Sequence, residues 1–235
     1  MGLKHSEHGG KPAQDDADLI ARSWSPEDVR FQLTDHQITM LGQFLALLNQ
    51  WNRVHSLTAI EEPQSQVVRH ILDALVVWPR IAARMSTSFS RVADIGSGMG
   101  VPGIVLAIVL PQCRFDLIER QQKKASFLRH VVFRLGLTDR VRVLDQDVVK
   151  VTVDEGYDLI VCRAFSALAD FLNVTYRLSK PSTLWAAMIG KNQISEQALV
   201  NMNSNVGNLI VESVEPVVVP GLNAKRHLTW VKRVS

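Results

Sequence analysis

Apolar positions follow two different periods along the chain. In the first third they recur at Ile38, Leu41, Leu45 and Leu48, flanked by Phe44, Leu47 and Trp51, which is the three-and-four spacing of an amphipathic helix. Thr34 and Gln37 supply its N-cap and capping box. Residues 51–60 break that pattern. A second helix is predicted over residues 64–85, with Val67, Ile71, Ala74, Leu75 and Trp78 on one face and Pro79 placed to kink or shorten it. From residue 91 onward short apolar runs alternate with helical ones. Strands are predicted at 91–95, 113–119, 141–144, 157–162 and 184–189, and helices at 104–110, 123–135 and 194–203. Two further strands close the chain near 209–219 and 227–234. Alternation of this kind specifies an α/β fold with a mostly parallel sheet.

Composition adds bounds. The chain has 235 residues, 46% of them hydrophobic and 21% charged, enough for one domain with a substantial core and an appendage. Residues 1–31 mix Gly, His, Asp, Ser and Pro without period and read as a disordered tail. That leaves an N-terminal helical region at 32–88 and an α/β domain at 89–235. No apolar run is long enough to cross a bilayer, and no hydrophobic signal core opens the chain, so a cytoplasmic protein is expected. Cys113 and Cys162 stand alone, without metal-ligand spacing, so neither zinc nor a disulfide framework is expected. The net charge of +3 is small, but residues 120–142 carry seven Lys or Arg against one acid, Asp139. Such a block is either a phosphate-facing surface or a solvated helix face.

The chemistry concentrates where the first strand ends, in Asp94-Ile95-Gly96-Ser97-Gly98-Met99-Gly100-Val101-Pro102-Gly103. A strand, a glycine-rich bend and a proline at the first helical position form a ligand cradle at the carboxyl edge of an α/β sheet. Dinucleotides and S-adenosylmethionine both use such a bend. A dinucleotide fingerprint needs Gly-x-Gly-x-x-Gly directly after the strand, yet from Gly96 the third glycine, Gly100, arrives one residue early. Asp94 would also set a carboxylate beside two phosphates, whereas it suits a sulfonium or an amino group. The register therefore favours S-adenosylmethionine, with an NAD-dependent oxidoreductase as the alternative. Glu119 ends the second strand 23 positions after Gly96, where an acid can bind ribose hydroxyls in either class. Asp147, after the third strand, is placed either to accept from an adenine amino group or to cap the next segment. Arg163 and Phe165 follow the fourth strand, at the end that faces the transferred methyl group in S-adenosylmethionine folds. Cys162 lacks the preceding proline of a thiolate nucleophile and reads as a buried hydrophobe. Arg69, His70 and Asp73 share one helical turn, as a ligand-facing cluster or as an Arg69–Asp73 pair four residues apart.

Several ordered motifs resemble one family, the bacterial ribosomal RNA small subunit methyltransferase G proteins, also called glucose-inhibited division protein B. They are Trp51-Asn52, Leu57-Thr58-Ala59-Ile60, Arg69-His70-Ile71-Leu72-Asp73, the glycine bend with Val101-Pro102-Gly103, Lys123-Lys124, Phe127-Leu128-Arg129, Arg163-Ala164-Phe165 and Arg226-His227-Leu228. The resemblance implies a class I S-adenosylmethionine-dependent methyltransferase, with a Rossmann-like, mostly parallel seven-stranded sheet and an N-terminal helical extension. It implies methyl transfer to N7 of a guanine in the 530 loop of 16S rRNA, with naked rRNA or the small ribosomal subunit as partner, and a monomer. Cofactor contacts are implied at Gly96, Val101, Asp147, Val148 and Arg163, joining Asp94, Gly98, Gly100 and Glu119. Lys123, Lys124, Arg129 and Arg134 are the expected RNA contacts, and Arg163 is expected to orient the reactants without any general base. Gln146-Asp147-Val148-Val149 departs from the family's Arg-x-Glu-Glu, and Ile189-Gly190 from its Lys-Gly, with Lys191 one position late. Those departures leave a non-catalytic ribosome-binding module as a further alternative.

Overall fold

The computed structural model describes residues 10–85, 91–163, 165, 167–190 and 208–234. Seven strands form one sheet: β1 (Arg91–Ile95), β2 (Arg114–Glu119), β3 (Val141–Asp145), β4 (Tyr157–Arg163), β5 (Ser179–Gly190), β6 (Leu209–Val217) and β7 (Arg226–Arg233). Their spatial order is β3-β2-β1-β4-β5-β7-β6. The first five strands are mutually parallel, while β7 runs antiparallel between β5 and β6. Strand order reverses between β1 and β4, so the crevice beyond their carboxyl ends is where such a sheet takes ligand. This is the class I methyltransferase sheet expected above.

Helices α1 (Gly10–Ser23), α2 (Asp35–His55), α3 (Pro63–Gln66), α4 (Asp73–Leu75) and α5 (Trp78–Arg84) precede the sheet. Helices α6 (Gly103–Val109), α7 (Gln122–Arg134) and α8 (Leu168–Thr175) lie between its strands. The Thr34–Gln37 capping box forms as read, with both reciprocal hydrogen bonds. The single helix expected over 64–85 is broken instead. A π-helical segment, Val67–Leu72, joins α3 to α4, and a new helix begins at Trp78 with Pro79 in its first turn.

Helix α1 corrects the expectation of a disordered tail through residue 31. Ala17 and Ile20 are buried, and a Cβ on Gly42 of α2 would lie 2.9 Å from the Ala17 Cβ. Small residues on both helices let their backbones approach closely, which a survey of polar composition cannot register. A 3₁₀ turn, Val29–Phe31, then brings Phe31 edge-on to Trp78. Helix α8 lies outside the elements predicted above, although Leu168, Phe171 and Leu172 show the helical spacing and are buried. The helix expected over 194–203, Lys191 and residues 1–9 lie outside the described residues.

Two apolar layers cover the sheet. One contains Ile20, Phe44, Leu45, Leu48, Ile71, Leu75, Ile104, Leu106, Phe127 and Trp230, so the N-terminal helices share a core with α6 and α7. The other contains Tyr157, Ile160, Phe171, Leu172, Trp185 and Ile189. Side chains alternate faces along a strand. Asp94, Glu119 and Arg163 therefore fall on the face of the N-terminal helices, and Cys162 on the other.

Candidate active site at the carboxyl edge

The bend after β1 is held by its own backbone. Gly96 and Ser97 N–H both donate to the Ile118 carbonyl, at 2.9 and 3.1 Å, and Gly100 N–H donates to the Ser97 carbonyl at 2.7 Å. Gly96, Gly98 and Gly100 have φ of +68°, +56° and +93°, a region costly for other residues. Their surroundings divide the glycines by role. A Cβ on Gly96 would meet nothing within 4 Å, and one on Gly98 only the Gly96 carbonyl at 3.7 Å. On Gly100 it would lie 2.8 Å from the Ile104 side chain, and on Gly103 2.5 Å from both Asp94 Oδ2 and Leu117 Cδ2. Gly96 and Gly98 thus open a cradle, whereas Gly100 and Gly103 permit helix-on-strand packing. Gly103, the last glycine of the literal Gly-x-Gly-x-x-Gly at 98–103, is buried against Asp94, where no pyrophosphate can reach it. Helix α6 starts at Gly103 with Pro102 as its N-cap, one residue later than the proline suggested.

Asp94 is only 1% exposed, and its Oδ2 accepts from Gly103 N–H at 3.1 Å. Its Oδ1 has no partner among the described residues. Burial outweighs the hydrogen bonds, and the carboxyl pKa is pushed up to about 7. Asp94 therefore fastens the bend from beneath instead of presenting an exposed charge. Glu119 ends β2 beside it and is also buried. Its Oε2 accepts from Gly98 N–H at 2.8 Å and its Oε1 from Gln121 N–H at 2.8 Å. A carboxylate oxygen has two acceptor positions, so each retains one for a ribose hydroxyl.

Asp147 caps the 3₁₀ turn Val148–Lys150, its Oδ1 accepting from Val149 N–H at 3.1 Å. Of the two roles open to it, capping is observed. Its Oδ2 lies 4.0 Å from Arg120 Nη1. Val101 is buried in the bend and Val148 half-buried at the turn, both on this edge. Apolar side chains in these places match an adenosine, which needs walls for a flat base and acceptors for its hydroxyls and amino group.

Arg163, the last residue of β4, faces the helical appendage. Its Nη1 donates to the Arg69 carbonyl at 2.8 Å and to Asp73 Oδ2 at 3.3 Å, while Asp73 Oδ1 accepts from Arg226 Nε at 3.0 Å. The pair expected between Arg69 and Asp73 is thus replaced by pairs spanning 90 and 153 positions. No spacing rule could have found them. His70 is buried with Nε2 3.2 Å from Thr58 Oγ1, and burial, aided by the Arg163 charge, lowers its pKa to about 4. Cys162 is buried on the opposite face, where burial and the nearby Asp94 push its thiol far up, away from nucleophilic use. Phe165 packs on Phe171 at 5.5 Å between ring centroids.

The basic block does not form one patch. Lys123 and Arg134 stand within about 20° of each other around α7 but about 16 Å apart along it. Arg129 turns toward β3 and pairs with Asp145 at 3.1 Å. Arg142 makes two 2.7 Å bonds to Asp116, and Arg134 lines an open cleft between α1 and α2. Ile189, at the first departure of β5 from the family pattern, packs in the second apolar layer. Among the described residues, no group of three or more His, Cys, Asp or Glu is arranged to hold a metal, and no helix is long and apolar enough to cross a membrane.

Comparison with known proteins places the chain in a family. Residues 37–229 match the family model described as rRNA small subunit methyltransferase G. The Ribosomal RNA small subunit methyltransferase G of Methylibium petroleiphilum is 36% identical over 205 residues, covering 87% of this chain and 90% of that one. The protein of the same name from Chromobacterium violaceum is 38% identical over 197 residues, covering 84% and 89%. Among solved structures, a SAM-dependent methyltransferase from Aquifex aeolicus superposes with a TM-score of 0.53 at 17% identity, covering 75% of this chain and 96% of that one, which speaks for the fold alone. The chain belongs to the rRNA small subunit methyltransferase G family, as an S-adenosylmethionine-dependent enzyme that methylates ribosomal RNA.

Proposed function

We propose that this enzyme methylates N7 of one guanine in the 530 loop of 16S rRNA, acting in the cytoplasm as a monomer on free rRNA or on the small subunit. The observation that carries this reading is the placing of Asp94, Glu119 and Arg163 on one face of the sheet, at the carboxyl ends of β1, β2 and β4, beside the glycine bend. S-adenosylmethionine, when bound, supplies an electrophilic methyl group on its sulfonium. Gly96 and Gly98 give the ligand close approach to backbone, Glu119 takes the ribose hydroxyls, and Val101, Asp147 and Val148 border the adenine. Asp94 and Gly100 hold the bend in shape.

Guanine N7 carries a lone pair and no proton at neutral pH, so its attack on the methyl carbon requires no base. What the protein must supply is alignment in a site from which water is kept out. Arg163 uses Nη1 on Asp73 and Arg69, and among the described residues its Nε and Nη2 hydrogens have no other acceptor, so they can donate to guanine O6. Lys123, Lys124 and Arg134 contact phosphate, and Arg129 joins them on exchanging its exposed pair with Asp145 for a phosphate. The reading is tested by tritium transfer from labelled S-adenosylmethionine to undermethylated small subunits, followed by mapping of the modified base. Label at N7 of a 530-loop guanine is expected; label at another base or at an exocyclic amine contradicts it.

A further inference from the structure

We propose that Asp73, together with the main-chain carbonyl of Arg69, is the positioning group that holds Arg163 at the reacting edge, so that the helical appendage completes the active site. The inference rests on the assignment of Arg163 as the residue that orients the guanine.

Residues Val67–Leu72 form a π-helical segment. In an α-helix the Arg69 carbonyl would accept from Asp73 N–H, four residues on. Here Asp73 N–H bonds instead to the Val68 carbonyl, five residues back, as well as to Ile71. The widened turn leaves the Arg69 carbonyl available, and Arg163 Nη1 occupies it at 2.8 Å. The same turn aims the Asp73 carboxylate at the sheet. Single π turns inside helices occur frequently at functional sites.

Asp73 is 2% exposed and faces two guanidiniums, Arg163 from the end of β4 and Arg226 from the start of β7. In register, Arg163 lies beside Met188 and Arg226 beside Gly190, so the carboxylate bridges across the end of β5. One carboxylate against two cations is a poor device for stability, because desolvation consumes most of the Coulombic gain. Its clear effect is geometric. Arg163 is fixed by two acceptors on a separate rigid element, which is how a flexible side chain acquires one orientation.

The test is a cycle of Asp73→Asn, Arg163→Ala and the double variant, measured for kcat, KM for undermethylated small subunits, Kd for S-adenosylmethionine, and thermal midpoint. Asp73→Asn is expected to lower kcat about tenfold or more, with KM and Kd changed less than about threefold. In the Arg163→Ala background it should cost nothing further, because Asp73 acts through Arg163. Full kcat for Asp73→Asn beside an impaired Arg163→Ala, or losses that multiply in the double variant, overturns the inference while leaving the role of Arg163 intact. Full kcat for Arg163→Ala instead removes the role of Arg163, and the inference with it. Should Asp73→Asn fail to fold, Asp73→Glu decides. That variant keeps the neutralising charge but displaces the carboxylate by one methylene, so reduced kcat supports the positioning role and an unchanged kcat overturns it.

Discussion

The two ends of the sheet treat charge in opposite ways. Toward the amino-terminal edge both oxygens of the buried Asp116 are engaged: Arg142 bonds each at 2.7 Å, Tyr157 OH donates to Oδ2 at 2.7 Å, and Arg91 stands 3.7 Å away. Asp158 nearby accepts from Arg91 N–H at 2.7 Å and pairs with Lys180 at 2.5 Å. At the carboxyl edge the capacity is left partly unused. Asp94 Oδ1 and His70 Nδ1 have no partner among the described residues, and Gly96 opens on space. A closed network gives a fixed scaffold, and an incompletely satisfied one keeps donors and acceptors for a ligand. The contrast holds for the buried carboxylates, although Arg140 Nη1 and Arg233 Nε toward the amino-terminal edge also lack partners among the described residues.

The largest expected effect tests the closed end. Asp116→Ala leaves Arg142 and the Tyr157 hydroxyl without their acceptor, and should cost about 3–5 kcal/mol in urea unfolding while S-adenosylmethionine affinity stays unchanged. An affinity loss in the folded variant would break the division between edges. Next comes His70, whose pKa in the folded chain, about 4, lies below the ordinary 6.5. Neutral His70 is what the fold accommodates, so its contribution is complete above about pH 6.5 and is lost as pH falls through about 4. His70→Gln should flatten stability across that window by up to about 3 kcal/mol, read from unfolding midpoints at several pH values. An unaltered pH profile would place the acid sensitivity elsewhere.

A third prediction addresses the open end directly. Glu119→Ala removes two acceptors from the bend and the proposed ribose partner, so calorimetry should show S-adenosylmethionine binding weakened by about 10- to 100-fold. The smallest effect belongs to Arg129. Its pair with Asp145 is largely exposed, with side-chain exposures of 47% and 27%. Arg129→Gln should change stability by less than about 1 kcal/mol. Both Arg129→Gln and Lys123→Gln should make the salt dependence of RNA binding shallower. An unchanged salt slope for Arg129→Gln would take it off the RNA surface.

How much of this was legible in the residues follows from the range of the interactions. The bend, its strand, Glu119 and the two closing strands are set by local patterns of glycine, acid and alternating apolar residues, and they stand where those patterns put them. Helix α1 is visible only through its fit to Gly42, some 25 positions away. The π turn at Val67–Leu72 changes helical phase without altering apolar composition, so the period of Val67, Ile71 and Leu75 conceals it. Arg163 was assigned its edge by strand order, but its partner Asp73 emerges only when α4 is laid against the sheet. Long-range polar pairing is the part of the site that periodicity does not encode.

On this reading the methyl donor lies at the open end of the sheet. A crystal structure with S-adenosylmethionine or S-adenosylhomocysteine tests it most directly. Ribose hydroxyls within hydrogen-bond reach of Glu119, with the methionine portion over Gly96, are predicted. Ligand bound in the cleft between α1 and α2, or nothing over the bend at saturating concentration, would contradict it.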